Sequence, residues 1–260
     1  MNPQEFQDFK VQLAHNVEAH SDLLGLVFLG SSSDSSRQDQ WSDHDFFLIA
    51  REGFEEHIRQ DLSWLPADFE VALAFRDTDH GLQAISKEGH LLEFAVFSEH
   101  ELYLYGRANA YTVMSDKSSV TEIMKHCARA QTPQQKDVQY HVGKVLACAI
   151  ICMGRYARGE RASGREVFLN GVLRSFLYLY KNAPVAEGAP AHHRMDNLDV
   201  FRRVETSHPE LGDLLDSLEP LPVPLALQKV LEVQMERVGQ QAWYPTEAHQ
   251  AVVKRLQQAL

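Results

Sequence analysis

Asp43 and Asp45 stand one residue apart, just before the apolar run FFLIA at 46–50. Side chains alternate along a strand with a period of two, so the pair presents its oxygens to one point. Like charges held together are unfavourable unless a cation binds between them. Hard carboxylate oxygens of this kind suit Mg²⁺. Upstream, Gly30 and Ser31 follow a second apolar run, LGLVFL at 24–29. Glycine lets the backbone approach closely, and Ser31 adds a hydroxyl and an N–H for phosphate oxygens. A phosphate-binding turn facing a metal-binding pair is the equipment of phosphoryl or nucleotidyl transfer. An Asp-X-Asp triplet alone is commonly a solvated loop. The order of strand, Gly-Ser, polar loop, Asp-X-Asp and strand is far more specific.

These residues need a sheet to hold them. Phe6, Phe9, Leu13 and Val17 recur at three- and four-residue spacing, which predicts a helix over 3–20. The runs at 24–29, 46–50, 69–75 and 91–97 predict strands, with a short fifth strand at 111–114. Helices are predicted at 52–63 and, more briefly, at 80–88, where Gly89 supplies a turn. After Asp116 the strand patterns stop. Long helical patterns cover 134–158 and 164–181, two or three shorter ones cover 196–240, and a last one covers 246–259. The fold class is therefore an α/β (α+β) domain with a mixed sheet over 1–116, followed by an all-α bundle over 117–260. The Ala/Pro/His-rich stretch 182–195 reads as a mobile loop.

Charge divides the chain at the same place. The net charge is −11. Residues 1–116 hold 7 basic and 21 acidic side chains, and residues 117–260 hold 18 and 15. An acidic chain is a poor wrapper of DNA or RNA, because phosphate neutralisation needs cations. No apolar run reaches the length of a membrane span. The N-terminus lacks a signal-peptide pattern, and three cysteines make no disulfide framework, so a cytoplasmic location is expected. Cys148 and Cys152 share a helix face among apolar residues and read as core thiols rather than metal ligands.

The stretch VFLGSSSDSSRQDQWSDHDFFLI at 27–49 resembles the signature of the nucleotidyltransferase superfamily that includes DNA polymerase beta. The closer likeness is to the antibiotic-modifying branch, and most of all to two-domain lincosamide nucleotidyltransferases. It extends to LEFAVFSEHEL at 92–102 and to the short strand ending at Asp116, and more thinly to RGERASGREVF at 158–168. The resemblance implies transfer of a nucleoside monophosphate, most often AMP from ATP, to a hydroxyl of a small molecule such as a lincosamide or aminoglycoside. It implies that Asp43 and Asp45 hold Mg²⁺, that Gly30 and Ser31 bind the nucleotide phosphates, and that a third carboxylate lies on a neighbouring strand. Glu70 in FEVALAF and Glu93 in LEFAVF are the candidates. Glu93 is favoured by the match that follows it and by being the only charge between Leu91 and Phe97, where an unpaired carboxylate is costly to bury. Its role is general base, metal ligand or both.

The triphosphate also needs cations. The first half offers only Arg37 near the phosphate loop, while the second offers Lys144, Arg155, Arg158, Arg161, Arg165 and Arg174. The expected active site is thus a cleft between the halves, and in some relatives a second subunit completes it, which makes a homodimer an expectation. Trp41, the pair His192-His193, Tyr103, Tyr105 and Tyr111 read as either ligand contacts or ordinary loop and packing residues, and His44 as structural or surface. Two other classes stay open. One is a protein adenylyltransferase of the antitoxin type, against which the extra helical half argues. The other is a non-catalytic nucleotide-binding protein, against which the intact carboxylates argue.

Overall fold

The structure is a computed structural model describing residues 1–33, 39, 41–108, 110–129, 136–181, 195 and 199–258. The chain forms two compact units, Met1–Pro133 and Gln134–Leu260. The first holds a mixed six-stranded sheet flanked by helices. The second is helical and holds no strand among its described residues, so the fold class is the expected one.

Helix α1 (Pro3–Ala19) begins where Asn2 and Glu5 close a capping box with proline at the first turn. Its apolar stripe, Phe6, Phe9, Leu13 and Val17, is buried as the spacing predicts, and Lys10 is buried in the same stripe. Strands β1 (Leu23–Leu29), β2 (His44–Ala50), β3 (Val71–Arg76), β4 (Gly81–Ser86), β5 (Leu91–Phe97) and β6 (Tyr111–Asp116) lie in the order β3-β4-β5-β2-β1-β6. Only β2 and β5 run parallel. The crossover between them is what allows the β3–β4 hairpin to extend the sheet beyond β5.

Strand β4 corrects the short helix predicted at 80–88. Its residues alternate between half-buried and buried, with Leu82, Ala84 and Ser86 inward. A helix as short as 80–88 has little stability of its own. Here backbone pairing to β3 on one side and β5 on the other satisfies the segment as a strand.

Two cores sandwich the sheet. On one face Phe28, Phe46, Leu48, Leu92 and Phe94 pack against Phe9, Leu13 and Val17 of α1 and against Ile58 of α2 (Glu55–Gln60). On the other, Val27, Ile49 and Phe97 pack against Leu102 of α3 (Glu99–Tyr105) and against Val120, Met124 and Cys127 of α4 (Val120–Arg129). Each fully buried side chain of this kind contributes about 1.5–3 kcal/mol.

The second unit contains α5 (Val138–Ala157), α6 (Arg161–Val167), α7 (Arg174–Leu177), α8 (Val204–Ser207), α9 (Pro209–Leu218), α10 (Val223–Val238) and α11 (Thr246–Gln257). The single helix predicted over 164–181 is interrupted by a π turn at Phe168–Leu173. Within it, a Cβ on Gly171 would lie 2.8 Å from Cys148 Sγ, so glycine is what lets α5 approach. Cys148 and Cys152 are buried core residues, as read. Burial pushes the Cys152 thiol up to about 11, so it stays protonated. No described helix is long and apolar enough to cross a membrane.

Candidate active site

β1 ends in a tight 3₁₀ turn, Gly30–Ser33. Gly30 has φ +51°, in the left-handed region that side chains disfavour. A Cβ there would lie 3.3 Å from Asp45 Oδ2, so the glycine also clears space beside that carboxylate. Ser32 is fully buried. Its hydroxyl donates to the Asp43 carbonyl at 3.1 Å and accepts from the Asp45 N–H at 3.0 Å. Behind it, Lys10 Nζ donates to the Ser32 carbonyl at 2.7 Å and lies 5.0 Å from the Phe28 ring centroid. Burial lowers the Lys10 pKa.

His44 points away from the aspartates on either side of it, into the α1 core, as alternation requires. It is fully buried and stacks on Phe6 with ring centroids 3.6 Å apart. Burial holds its pKa down to about 3, so it is neutral. Its Nε2 lies 3.1 Å from the Phe6 carbonyl, which can only accept, so Nε2 carries the proton. Its Nδ1 then accepts from His90 Nε2 at 2.7 Å. His44 is therefore structural.

Asp45 pairs with Glu93 in the β2–β5 register, Glu93 with Gln83 in the β5–β4 register, and Gln83 with Phe75 in the β4–β3 register. Directly opposed residues share a sheet face, with neighbouring strands about 4.8 Å apart. Phe75, Gln83, Glu93 and Asp45 thus form one row across four strands. Carboxylate oxygens of Asp43, Asp45 and Glu93 lie within 4.8 Å of one another, and all three residues are half-buried. Gln83 Nε2 donates to Glu93 Oε1 at 2.6 Å. Burial raises the Glu93 pKa, the negative charges of Asp43 and Asp77 raise it further, and a hydrogen bond with Asp45 opposes them. Three hard oxygen donors converging within this distance have the chemistry of a Mg²⁺ site.

Of the two candidates for a third carboxylate, Glu93 is the one beside the aspartates. Glu70 is exposed, pairs with Lys87 at 2.8 Å, and lies outside the cluster. Ser31 is half-buried in the turn, and Ser32, not singled out from the sequence, makes the bonds to the backbone of the aspartate pair. Trp41 is 85% exposed. Tyr103 stacks on His126 and Tyr105 on His80. Lys144 is exposed. Arg155, Arg158 and Arg174 face Glu166, Glu160 and Asp199 at 3.6, 2.8 and 3.3 Å. Arg37 and His192-His193 lie outside the described residues. Sequence reasoning also missed Lys10 and Gln83. A lysine in the apolar phase of α1 was the available signal for the first. The second was hidden by reading 80–88 as a helix. Nothing in the run of serines marks Ser32.

No family model matches the chain, and no curated protein sequence does. Among solved structures, an aminoglycoside 6-adenyltransferase from Bacillus subtilis is similar at 13% identity, over 100% of this chain and 98% of that one, with a TM-score of 0.35. A nucleotidyltransferase-like protein from Exiguobacterium sibiricum 255-15 is similar at 12% identity, over 96% of this chain and 80% of that one, with a TM-score of 0.34. Likenesses this distant say nothing of the site, whose chemistry rests on its own residues.

Proposed function

We propose that this chain is a Mg²⁺-dependent nucleotidyltransferase that moves a nucleoside monophosphate, AMP from ATP, onto a hydroxyl of a small molecule. Lincosamides and aminoglycosides are the acceptor classes to test first. The observation that carries this reading is the convergence of Asp43, Asp45 and Glu93 beside the positive-φ turn at Gly30. In it, residues 1–116 form the transferase domain and residues 117–260 a helical second domain.

Asp43 and Asp45 hold the metal, and Mg²⁺ there supplies neutralisation of charge on the triphosphate. The Gly30 N–H donates to the Ala110 carbonyl at 3.2 Å, so Gly30 serves by letting the backbone come close, and Ser31 supplies the N–H and hydroxyl that receive phosphate oxygens. Glu93 takes the proton of the acceptor hydroxyl as its oxygen bonds to the α-phosphorus. The bond from that phosphorus to the β-bridging oxygen breaks, and pyrophosphate leaves. Gln83 orients the Glu93 carboxylate through its amide N–H. The acceptor lies at the outer end of the same row, where Phe75 and, beside it on the same face, Leu73 remain 41% and 51% exposed. The acidic balance of residues 1–116 attracts a cationic acceptor and repels nucleic acid.

The test is pyrophosphate release with Mg²⁺ and each of ATP, GTP, CTP and UTP against a panel of lincosamides, aminoglycosides and simple polyols. Acceptor-dependent release that disappears in Asp43→Asn and Glu93→Gln supports the reading. Release that persists in both variants, or wild-type protein that binds no nucleotide, sinks it.

A further inference from the structure

We propose that Ser32 is the positioning residue of the metal site, holding Asp43 and Asp45 in register with Glu93, and that Lys10 braces it from behind. The inference rests on the proposed role of the two aspartates and goes beyond it by naming what sets their geometry.

Asp43 and Asp45 sit where β2 begins, at the far end of the segment that follows the Gly30–Ser33 turn. One hydroxyl joins the two ends. Ser32 Oγ gives its proton to the Asp43 carbonyl and accepts the Asp45 N–H, bracketing both carboxylate-bearing residues from a single atom. The hydroxyl's one proton is thereby used. The residue is also fully buried, so it touches no substrate and acts through the aspartates. Its neighbour Ser31 is half-buried and keeps the phosphate-binding role proposed for it.

The turn is fixed on its other sides as well. Lys10 Nζ donates to the Ser32 carbonyl at 2.7 Å, and Thr112 Oγ1 donates to the Ser33 carbonyl at 3.2 Å. A buried ammonium is costly unless it is hydrogen-bonded, so its retention inside the apolar stripe of α1 needs a use, and this contact is one. Helix α1 also holds β2 through the Phe6–His44 stack and the bond from His44 Nε2–H to the Phe6 carbonyl. The N-terminal helix is thereby joined to both halves of the motif, the turn and the aspartate strand. Groups that orient ligating side chains typically change metal affinity by about 10–100-fold when removed.

The experiment is Mn²⁺ binding to the full chain by electron paramagnetic resonance, with thermal unfolding beside it. Proteins compared are wild type, Asp43→Asn, Ser32→Ala, Ser32→Thr, Lys10→Met and, as a stability control, Val17→Ala. Wild type is expected to bind Mn²⁺ saturably and Asp43→Asn to lose that binding. Ser32→Ala is expected to weaken it by about 10-fold or more, Ser32→Thr to recover most of it, and Val17→Ala to lower the melting temperature without changing it. Ser32→Ala that folds and binds as tightly as wild type overturns the inference while leaving the proposed function standing. If Ser32→Ala does not fold, Lys10→Met decides: weakened binding supports the brace, and wild-type affinity overturns it. Wild type without saturable binding overturns both the inference and the reading it rests on.

Discussion

Glycine at position 30 answers two demands at once, a left-handed backbone and clearance for a carboxylate. Gly30→Ala places a side chain at φ +51° and a methyl 3.3 Å from Asp45 Oδ2. The conformational strain alone costs about 1–2 kcal/mol. Thermal unfolding is expected to show that loss, and transfer activity is expected to fall further than stability does, because the methyl pushes on the proposed metal ligand. Glu93 makes a sharper contrast. Glu93→Gln keeps size and hydrogen-bonding capacity while removing the proton acceptor. In the proposed mechanism its turnover falls by about 10²–10⁴-fold, while ATP binding, measured by calorimetry, stays within a few-fold of wild type. Equal losses in both measurements would make Glu93 a binding group and not the base.

The β3–β4 hairpin places residues far apart in sequence along one row with the carboxylates. Phe75 lies opposite Gln83, which lies opposite Glu93. Leu73 lies opposite Ile85, on the same face. A leucine and a phenylalanine left this exposed on an edge strand add little to stability but offer an apolar platform beside the proposed acceptor position. Phe75→Ser is expected to change stability by only about 0.5 kcal/mol. It is expected to raise the acceptor KM several-fold, with the KM for ATP and kcat nearly unchanged. A drop in kcat with unchanged acceptor KM would show that the platform is not where the acceptor lies.

Each unit of the molecule has its own core. Phe176 is fully buried in the helical unit, within a cluster made entirely of that unit's residues. Phe176→Ala is expected to destabilise that unit by about 3–5 kcal/mol while leaving Mn²⁺ affinity at the carboxylate cluster unchanged under conditions where the chain remains folded. The helical unit also contains an acid-sensitive element. His249 Nδ1 and the Tyr244 hydroxyl are hydrogen-bonded at 2.8 Å, and that hydroxyl accepts from Gln234 Nε2 at 3.1 Å. Burial lowers the His249 pKa below its ordinary 6.5. The unfolded chain therefore binds the proton more readily than the folded one. The contribution is fully present above about pH 6.5 and is lost as pH falls toward the depressed folded value. Unfolding midpoints measured in denaturant should fall on acidification through that window, and the fall should be shallower in His249→Gln.

Motif chemistry and local periodicity were legible in the chain itself. Asp43, Asp45 and Gly30 stand close in sequence, and strand alternation alone directs the two aspartates to one side and His44 to the other. The α1 stripe and the apolar strands were legible for the same reason, since 3.6- and 2-residue periods are local properties. Choosing Glu93 over Glu70 had a local argument, its isolation in an apolar strand, but the meeting of Glu93 with Asp45 depends on the parallel β2–β5 register. Strand β4 was not legible, because Gly81–Ser86 is too short for its own propensity to decide and becomes a strand by pairing on both sides. Ser32 and Lys10 were hidden for a related reason. Their contacts span 11 to 22 positions: no local pattern marks a serine among serines, and the place of Lys10 in the apolar phase of α1 signals a buried lysine but not the partner it meets when the chain closes.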